Sequence, residues 1–185
     1  MARRQSLPRL WLMTDERMGE RLWPALERLP RGAGIVFRHY ATPLTERRVL
    51  FERVRAVARR RRLVLVLAGT PKQAIAWRAD GAHGRSPHRR TCRSLLRTAP
   101  AHDVPALHGT SAELLFLSPV FATRSHPGAG ALGPVRFGLW ARHAECPVVA
   151  LGGMDPRRFI RLRTLGACGY AAIDAWLEPD AGQIG

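Results

Sequence analysis

Two glycines that close an apolar run are the first candidates for chemistry. In PVVALGGM, residues 147–154, five apolar residues with β-branched valines read as a strand. Gly152 and Gly153 then allow close backbone approach, and Asp155-Pro156 reads as an N-cap followed by proline at the first helical turn. Further on, GACGYAAID, residues 166–174, repeats the design: glycines, a short apolar strand, then a polar residue at a helix start. Two such turns side by side on a parallel sheet direct backbone N–H groups and helix N-termini at one spot, which is the chemistry of anion binding. A tight strand-to-helix turn without a ligand is the alternative, and this pattern alone leaves both open.

The elements that must position these glycines follow from the apolar periodicity. Residues 9–13 form a short strand closed by Thr14-Asp15, and 19–29 carry Leu22, Ala25, Leu26 and Leu29 at helical spacing. A second strand spans 35–38. Residues 45–60 give the clearest helix, with Thr45 as its cap and Val49, Leu50, Val54, Val57 and Ala58 as its apolar stripe. Arginines 59–62 read as a solvated face at its end. The fully apolar run 63–69 is a strand covered on both sides. A short helix at 71–77, a minimal strand at 80–83, a helix at 87–96, a weak strand at 97–101 and a short helix at 104–109 come next. Residues 113–121 form a strong strand, 122–134 a Gly/Pro-rich loop, 135–143 a helix, and 156–164 the helix after the glycine pair. Strands and helices alternate about eight times, which favours closure into a (β/α)8 TIM barrel over an open sheet. The helices are short, so the barrel is a trimmed one. The 185 residues are expected to form one domain, with tails at 1–8 and 178–185.

Composition bounds the class. Hydrophobic residues make up 46% of the chain, an ordinary globular share. The formal net charge of +16 suggests an anionic partner. Yet Lys72 is the one lysine among 30 basic residues, and the arginines are spread from Arg3 to Arg163. That pattern fits arginine-rich coding better than a nucleic-acid patch. No aromatic-rich basic motif, zinc finger or helix-turn-helix spacing appears, so no specific nucleic acid is expected. Cys92, Cys146 and Cys168 are widely spaced and lack a CxxC pair. Neither a disulfide framework nor a zinc site is indicated, and a cytoplasmic location fits. The apolar run at 7–13 is broken by Pro8 and Arg9, too short for a signal peptide or a membrane span, and no membrane partner is expected.

With these segments in place, the chain resembles the thiamine phosphate synthase and thiazole tautomerase family over nearly its whole length. The resemblance is carried by LWLMTD (10–15), IVFRHY (35–40), DGAHG (80–84), PAHD (100–103), LSPVFATRSHPGAGALGP (117–134), PVVALGGM and GACGYAAI. It implies a (β/α)8 barrel with its site at the C-terminal strand ends. It also implies a transferase of thiamine biosynthesis that joins hydroxymethylpyrimidine diphosphate to a thiazole phosphate and releases pyrophosphate, helped by Mg2+. In such a reaction a carbon–oxygen bond breaks toward a pyrimidine methyl cation. The leaving diphosphate therefore needs cations, and the thiazole phosphate needs an anion cradle.

On the cradle side, Thr123 and Ser125 match the family's hydroxyl pair after strand 6. Gly152 and Gly153 match its glycines, and the backbone of Ile173 its last phosphate contact. Asp174 stands where the family has a small serine, at the start of the terminal helix, where a carboxylate would satisfy the same N–H groups and repel a phosphate. On the diphosphate side the pattern departs from the family. Of its Gln-Arg-Lys motif on strand 2 only Arg38 remains, flanked by Val36 and Tyr40. Arg38 could clamp a diphosphate or pair with a carboxylate at the barrel mouth. The Asn-Asp pair after strand 3 is Ala68-Gly69, and residues 84–88 contain no carboxylate, so Mg2+ is expected from the family while its ligands are not evident and no metal residue is assigned. His83 and His102 match family histidines at strand ends, as catalysts or as residues that support the site. His126 replaces the family's lysine after the hydroxyl pair and is charged only when protonated. Pro119 stands where tautomerase chemistry needs a histidine, which disfavours that activity. Asp15 is expected to cap the first helix.

Arg38 and His126 are thus the candidate catalytic residues, and phosphorylated small molecules are the expected partners. The family precedent leaves room for a homodimer. Two readings of the function stand side by side: a synthase in which arginine and histidine charge partly replaces metal-held charge, or a catalytically impaired relative that binds a phosphorylated small molecule as sensor or carrier.

Overall fold

The computed structural model describes residues 7–85, 95–109, 111–123 and 130–176. Eight parallel strands close into a barrel in sequence order: β1 (Leu10–Met13), β2 (Gly34–Phe37), β3 (Val64–Ala68), β4 (Gly81–His83), β5 (Leu96–Ala101), β6 (Leu114–Leu117), β7 (Val148–Leu151) and β8 (Ala167–Ala172). β8 returns to β1 with Trp11 opposite Ala171, so no strand is left as an edge. This is the expected (β/α)8 barrel.

Strands such as β2, β3, β6 and β7 are apolar on both sides because each has two dry faces, while β5 carries Arg97 and Thr98 and β4 ends on His83. Trp11, Met13, Val36, Val66, Ala68, Leu114, Phe116, Val149 and Ala171 share an interior cluster. Trp11 packs edge-on against Phe116 at 5.2 Å, and its Nε1 donates to the Pro8 carbonyl at 2.8 Å. The alternate residues, such as Leu12, Ile35, Phe37 and Leu65, belong to a second cluster with the helices. Gly34 is dictated by the same packing: a Cβ there would lie 2.2 Å from Trp11 Cε3.

Among the described residues five α-helices surround the strands: α1 (Leu22–Arg28), α2 (Leu44–Arg61), α3 (Pro71–Ala76), α4 (Gly133–His143) and α5 (Pro156–Arg163). A short 3-10 stretch, Glu16–Arg21, precedes α1. After β5 a 3-10 turn, Pro105–Leu107, takes the place of the helix expected at 104–109, and after β8 the described residues end in a 3-10 turn, Asp174–Trp176, where a short terminal helix is expected to start. The helix expected at 87–96 lies mostly outside the described residues, and its last residue instead begins β5. β6 stops at Leu117, short of the expected 121, because Pro119 has no N–H to donate and Val120 N bonds across to Leu151 O at 2.9 Å.

α2 differs from its expected form in two ways. Pro43, not Thr45, is its N-cap, and no side chain caps it. Its buried face is Arg47, Phe51, Val54 and Ala58, while Val49 is 59% exposed. The spacing 47, 51, 54, 58 is a regular helical stripe. It escapes a hydrophobicity count because it opens on an arginine.

Candidate functional site

The C-terminal ends of the strands carry the candidate residues, in two groups. At the β1 and β2 ends, register pairs Met13 with Val36 and so brings Thr14 and Asp15 beside Arg38. Arg38 Nε donates to Thr14 O at 2.9 Å, and Nη2 donates to Asp15 Oδ2 at 3.2 Å. Of the two roles open to Arg38, pairing with a mouth carboxylate is the one the geometry displays. Burial lowers the Arg38 pKa from its ordinary value, and the Asp15 charge opposes that shift.

Asp15 is fully committed. Its Oδ1 accepts from Arg17 N at 3.1 Å and from Arg17 Nε at 2.6 Å, and its Oδ2 accepts from Arg17 Nη2 at 2.9 Å. It is the N-cap of the 3-10 stretch, as expected of it. The Arg17 side chain bonded to it is the main cause that holds its pKa at about 2, so it is no base near neutral pH, and its bonds to Arg17 and Arg38 engage both its oxygens.

Next to Arg38 in the mouth stand two histidines. His83, the last residue of β4, is 6% exposed, packs edge-on against Phe116 at 5.3 Å, and its Nδ1 lies 2.9 Å from Thr98 Oγ1. Burial pushes its pKa down to about 4, and the nearby Arg38 and His102 charges push the same way. His83 is therefore neutral at pH 7. His102, just past β5, places Nδ1 3.1 Å from the Ser118 carbonyl and 3.2 Å from Ser118 Oγ. A carbonyl only accepts, so Nδ1 carries the proton and donates to it. His83, at the end of β4, thus stands near both Arg38, which follows β2, and His102, which follows β5.

The second group lies at the β6, β7 and β8 ends. Gly152 and Gly153 have φ of 96° and 58°, a region L side chains rarely adopt. A Cβ on Gly152 would sit 2.9 Å from Pro119 Cα, and one on Gly153 would sit 2.5 Å from Ala122 O. The glycines are therefore required by the loop after β6, which they touch directly. Phe121 N donates to Gly152 O at 3.1 Å and fixes that contact. Asp155 caps α5, accepting from Arg158 N at 2.8 Å, and Arg158 lies 4.8 Å over the Phe121 ring and bonds the Gly153 carbonyl. Thr123 is half-buried on this same loop. Ile173 is half-buried and packs against both the interior cluster and the outer one under α1 and α2, and its carbonyl accepts from Trp176 N at 3.2 Å. Asp174 begins the final 3-10 turn. Ser125 and His126 lie outside the described residues.

A divalent metal does not fit the diphosphate side as the described residues form it. Ala68 and Gly69 offer no side-chain oxygen, and the Ala68 carbonyl accepts from Arg47 Nη2 at 2.7 Å. Glu16 accepts from Ala41 N at 2.7 Å and Asp103 from Ala106 N at 2.8 Å. Among the described residues no group of three His, Cys, Asp or Glu could hold a metal ion.

The residues that a reading of the sequence did not single out are Thr14, His39, Arg47, Thr98 and Ser118. Thr14 Oγ1 accepts from Arg38 N at 3.1 Å and lies 2.9 Å from His39 Nδ1, locking the β2 end. Arg47 had one available signal, its place on the helical stripe of α2.

The site geometry can be set beside known proteins. A family model described as thiamine monophosphate synthase matches residues 10–176. The chain is 28% identical over 184 residues to "Putative thiamine-phosphate synthase 2" of Aquifex aeolicus, covering 93% of this chain and 99% of that protein. It is 31% identical over 160 residues to "Thiamine biosynthesis bifunctional protein ThiM/ThiE" of Symbiobacterium thermophilum, covering 80% of this chain and 33% of that longer protein. The barrel superposes on thiamine phosphate pyrophosphorylase from Pyrococcus furiosus with a TM-score of 0.72 at 21% identity, covering 92% of this chain and 87% of that one. The corresponding protein from Bacteroides thetaiotaomicron gives 0.58 at 16% identity, covering 95% and 88%. Among the described residues no helix is long and apolar enough to cross a membrane. Because the family match runs from the first residue of β1 to the turn that follows β8, and so takes in both groups of the mouth, the chain belongs to the thiamine monophosphate synthase family.

Proposed function

We propose that this chain couples hydroxymethylpyrimidine diphosphate to a thiazole phosphate and releases pyrophosphate, as a transferase of thiamine biosynthesis. The observation that carries this reading is the placement of Arg38, His83 and His102 at the C-terminal strand ends of one barrel, with His83 between the other two, and the Gly152-Gly153 turn across the barrel from the ends of β2 and β3. In the reaction the bond between the pyrimidine methylene carbon and the diphosphate oxygen breaks, and its electron pair leaves with the pyrophosphate. The carbon, left cationic, is captured by the thiazole. The Arg38 guanidinium at the diphosphate stabilises the charge that develops on the leaving group, and His83, neutral at pH 7, can add a hydrogen bond but no charge. Arg38 carries its charge permanently, and His102 and His126 each add a cation only when protonated. On the other side Thr123, Ser125, the Gly152-Gly153 turn and the Ile173 backbone hold the thiazole phosphate, with Asp174 beside them. The reading asks no carboxylate to hold a metal.

The test is release of pyrophosphate by purified protein supplied with both substrates, measured with magnesium and with a chelator. Release above background in either condition is expected, and none in both would refute synthase activity. A second reading, a phosphate binder with impaired turnover, is favoured by one observation: Arg38 already spends Nε and Nη2 on Thr14 and Asp15. Calorimetry separates the two. Heat on adding thiazole phosphate, without pyrophosphate release when both substrates are present, identifies the binder, and absence of heat removes it.

A further inference from the structure

Arg47 is the least expected charge in the molecule. It projects from the first turn of α2, is 8% exposed, and so needs partners for a buried cation. It finds them at the C-terminal ends of two strands. Nε and Nη2 donate to the Arg38 carbonyl at 3.1 and 2.6 Å, and Nη2 also donates to the Ala68 carbonyl at 2.7 Å. The guanidinium lies 5.7 Å over the Phe37 ring, 5.9 Å over Tyr40 and 5.5 Å over Trp77, three faces that suit a cation.

These contacts have two consequences. The backbone oxygens at the β2 and β3 ends, the donors a hard divalent ion would need where side-chain oxygens are missing, are engaged by a permanent positive charge. The sequence holds no Asp or Glu between Asp80 and Asp103, and Asp15, Glu16 and Asp103 are bonded elsewhere. At the same time Arg47 bonds the backbone of Arg38 itself, so one arginine fixes where the other stands. The fork of a guanidinium can hold two carbonyls at once, which an ammonium cannot do in the same plane.

We infer that Arg47 is a positioning residue that ties the β2 end to the β3 end and aims Arg38, so that the mouth binds a diphosphate through protein cations without a divalent metal. This rests on the reading of the mouth as a diphosphate site.

The experiment is calorimetric titration of the full chain with inorganic pyrophosphate in chelator and then in excess magnesium. Binding in chelator is expected, no tighter when magnesium is present. Arg47→Met should weaken pyrophosphate binding about tenfold or more, the loss of charge-assisted bonds that place Arg38, while affinity for thiazole phosphate on the opposite side is kept. Arg47→Lys should recover only part of the loss. Binding that appears only with magnesium overturns this inference and leaves the diphosphate reading standing. Absence of pyrophosphate binding in both conditions overturns the diphosphate reading as well. Arg47→Met with unchanged pyrophosphate affinity, or with both affinities lost together, overturns the positioning role, and the chelator titration of the unaltered protein judges the metal-free claim independently of that variant.

Discussion

Acid should destabilise this protein through His83, and by an amount that can be worked out. The ring is 6% exposed, wedged against Phe116, and burial holds its folded pKa at about 4 against an ordinary 6.5. Between those values the unfolded chain takes up a proton that the folded chain refuses. A group of this kind leaves stability whole above 6.5 and erodes it as pH falls toward 4. At pH 5 the unfolded chain has gone one and a half units past its midpoint and the folded one has not yet reached its own. With 1.36 kcal/mol per unit, the loss is about 2 kcal/mol at pH 5 and levels off near 3 kcal/mol below pH 4. Burial also lowers the pKa of His39, so the unaltered protein alone does not isolate His83. The comparison is with His83→Gln, whose amide can still meet Thr98 Oγ1 and which does not titrate. Urea unfolding of both proteins at pH 7.5 and pH 5 should show the unaltered protein losing about 2 kcal/mol more than the variant. Equal losses, or an imidazole NMR signal for His83 titrating near 6.5, would refute the reasoning. Such a result would also mean that His83 is charged beside Arg38 and that the mouth is more open than its packing indicates.

Three further outcomes follow from other parts of the barrel. Gly34→Ala drives a Cβ to 2.2 Å from the Trp11 ring, which is boxed in by Phe116, and should lower stability by about 3 kcal/mol in urea or thermal unfolding. Gly152→Ala meets both a φ of 96° and the Pro119 backbone at 2.9 Å, so it should shift the loop after β6 and weaken thiazole phosphate binding about tenfold by calorimetry, with pyrophosphate binding little changed. On the proposed reading of the β6–β8 ends as a phosphate site, Asp174→Ser should tighten phosphate binding in a competition titration. Unchanged affinity in that variant would show that Asp174 does not contest the site.

Much of the barrel was legible because its causes are local. Runs such as VLVLA are apolar on both faces only when a strand is covered on both sides, and Asp155-Pro156 and Thr70-Pro71 mark helix starts by the same side-chain bond to an N–H three residues on. What escaped was set by partners far away in the chain. Gly34 looks like loop punctuation until β1 brings Trp11 against it. The choice between a diphosphate and a carboxylate for Arg38 stayed open because Asp15 is 23 residues away and reaches it only through the register of β1 on β2.

The two sides of the mouth differ in legibility for one physical reason. On the cradle side the demand is on the backbone: a φ of 96° and a Pro119 Cα within 2.9 Å leave little besides glycine, so the residue type itself carries the message. On the diphosphate side the demand is on charge, and charge depends on burial and neighbours. His83 and His102 are the same residue type at successive strand ends, yet one is buried against Phe116 and held neutral while the other is exposed and bonds the Ser118 carbonyl. Arg47 inverts the usual signal, since a cation on an apolar stripe counts against burial, and only the two carbonyls and three rings around it reveal why it is there. A sequence can therefore announce a backbone turn that admits only glycine well before it can announce the charge state of the side chains at the other strand ends, because those charges are set only when the strands close.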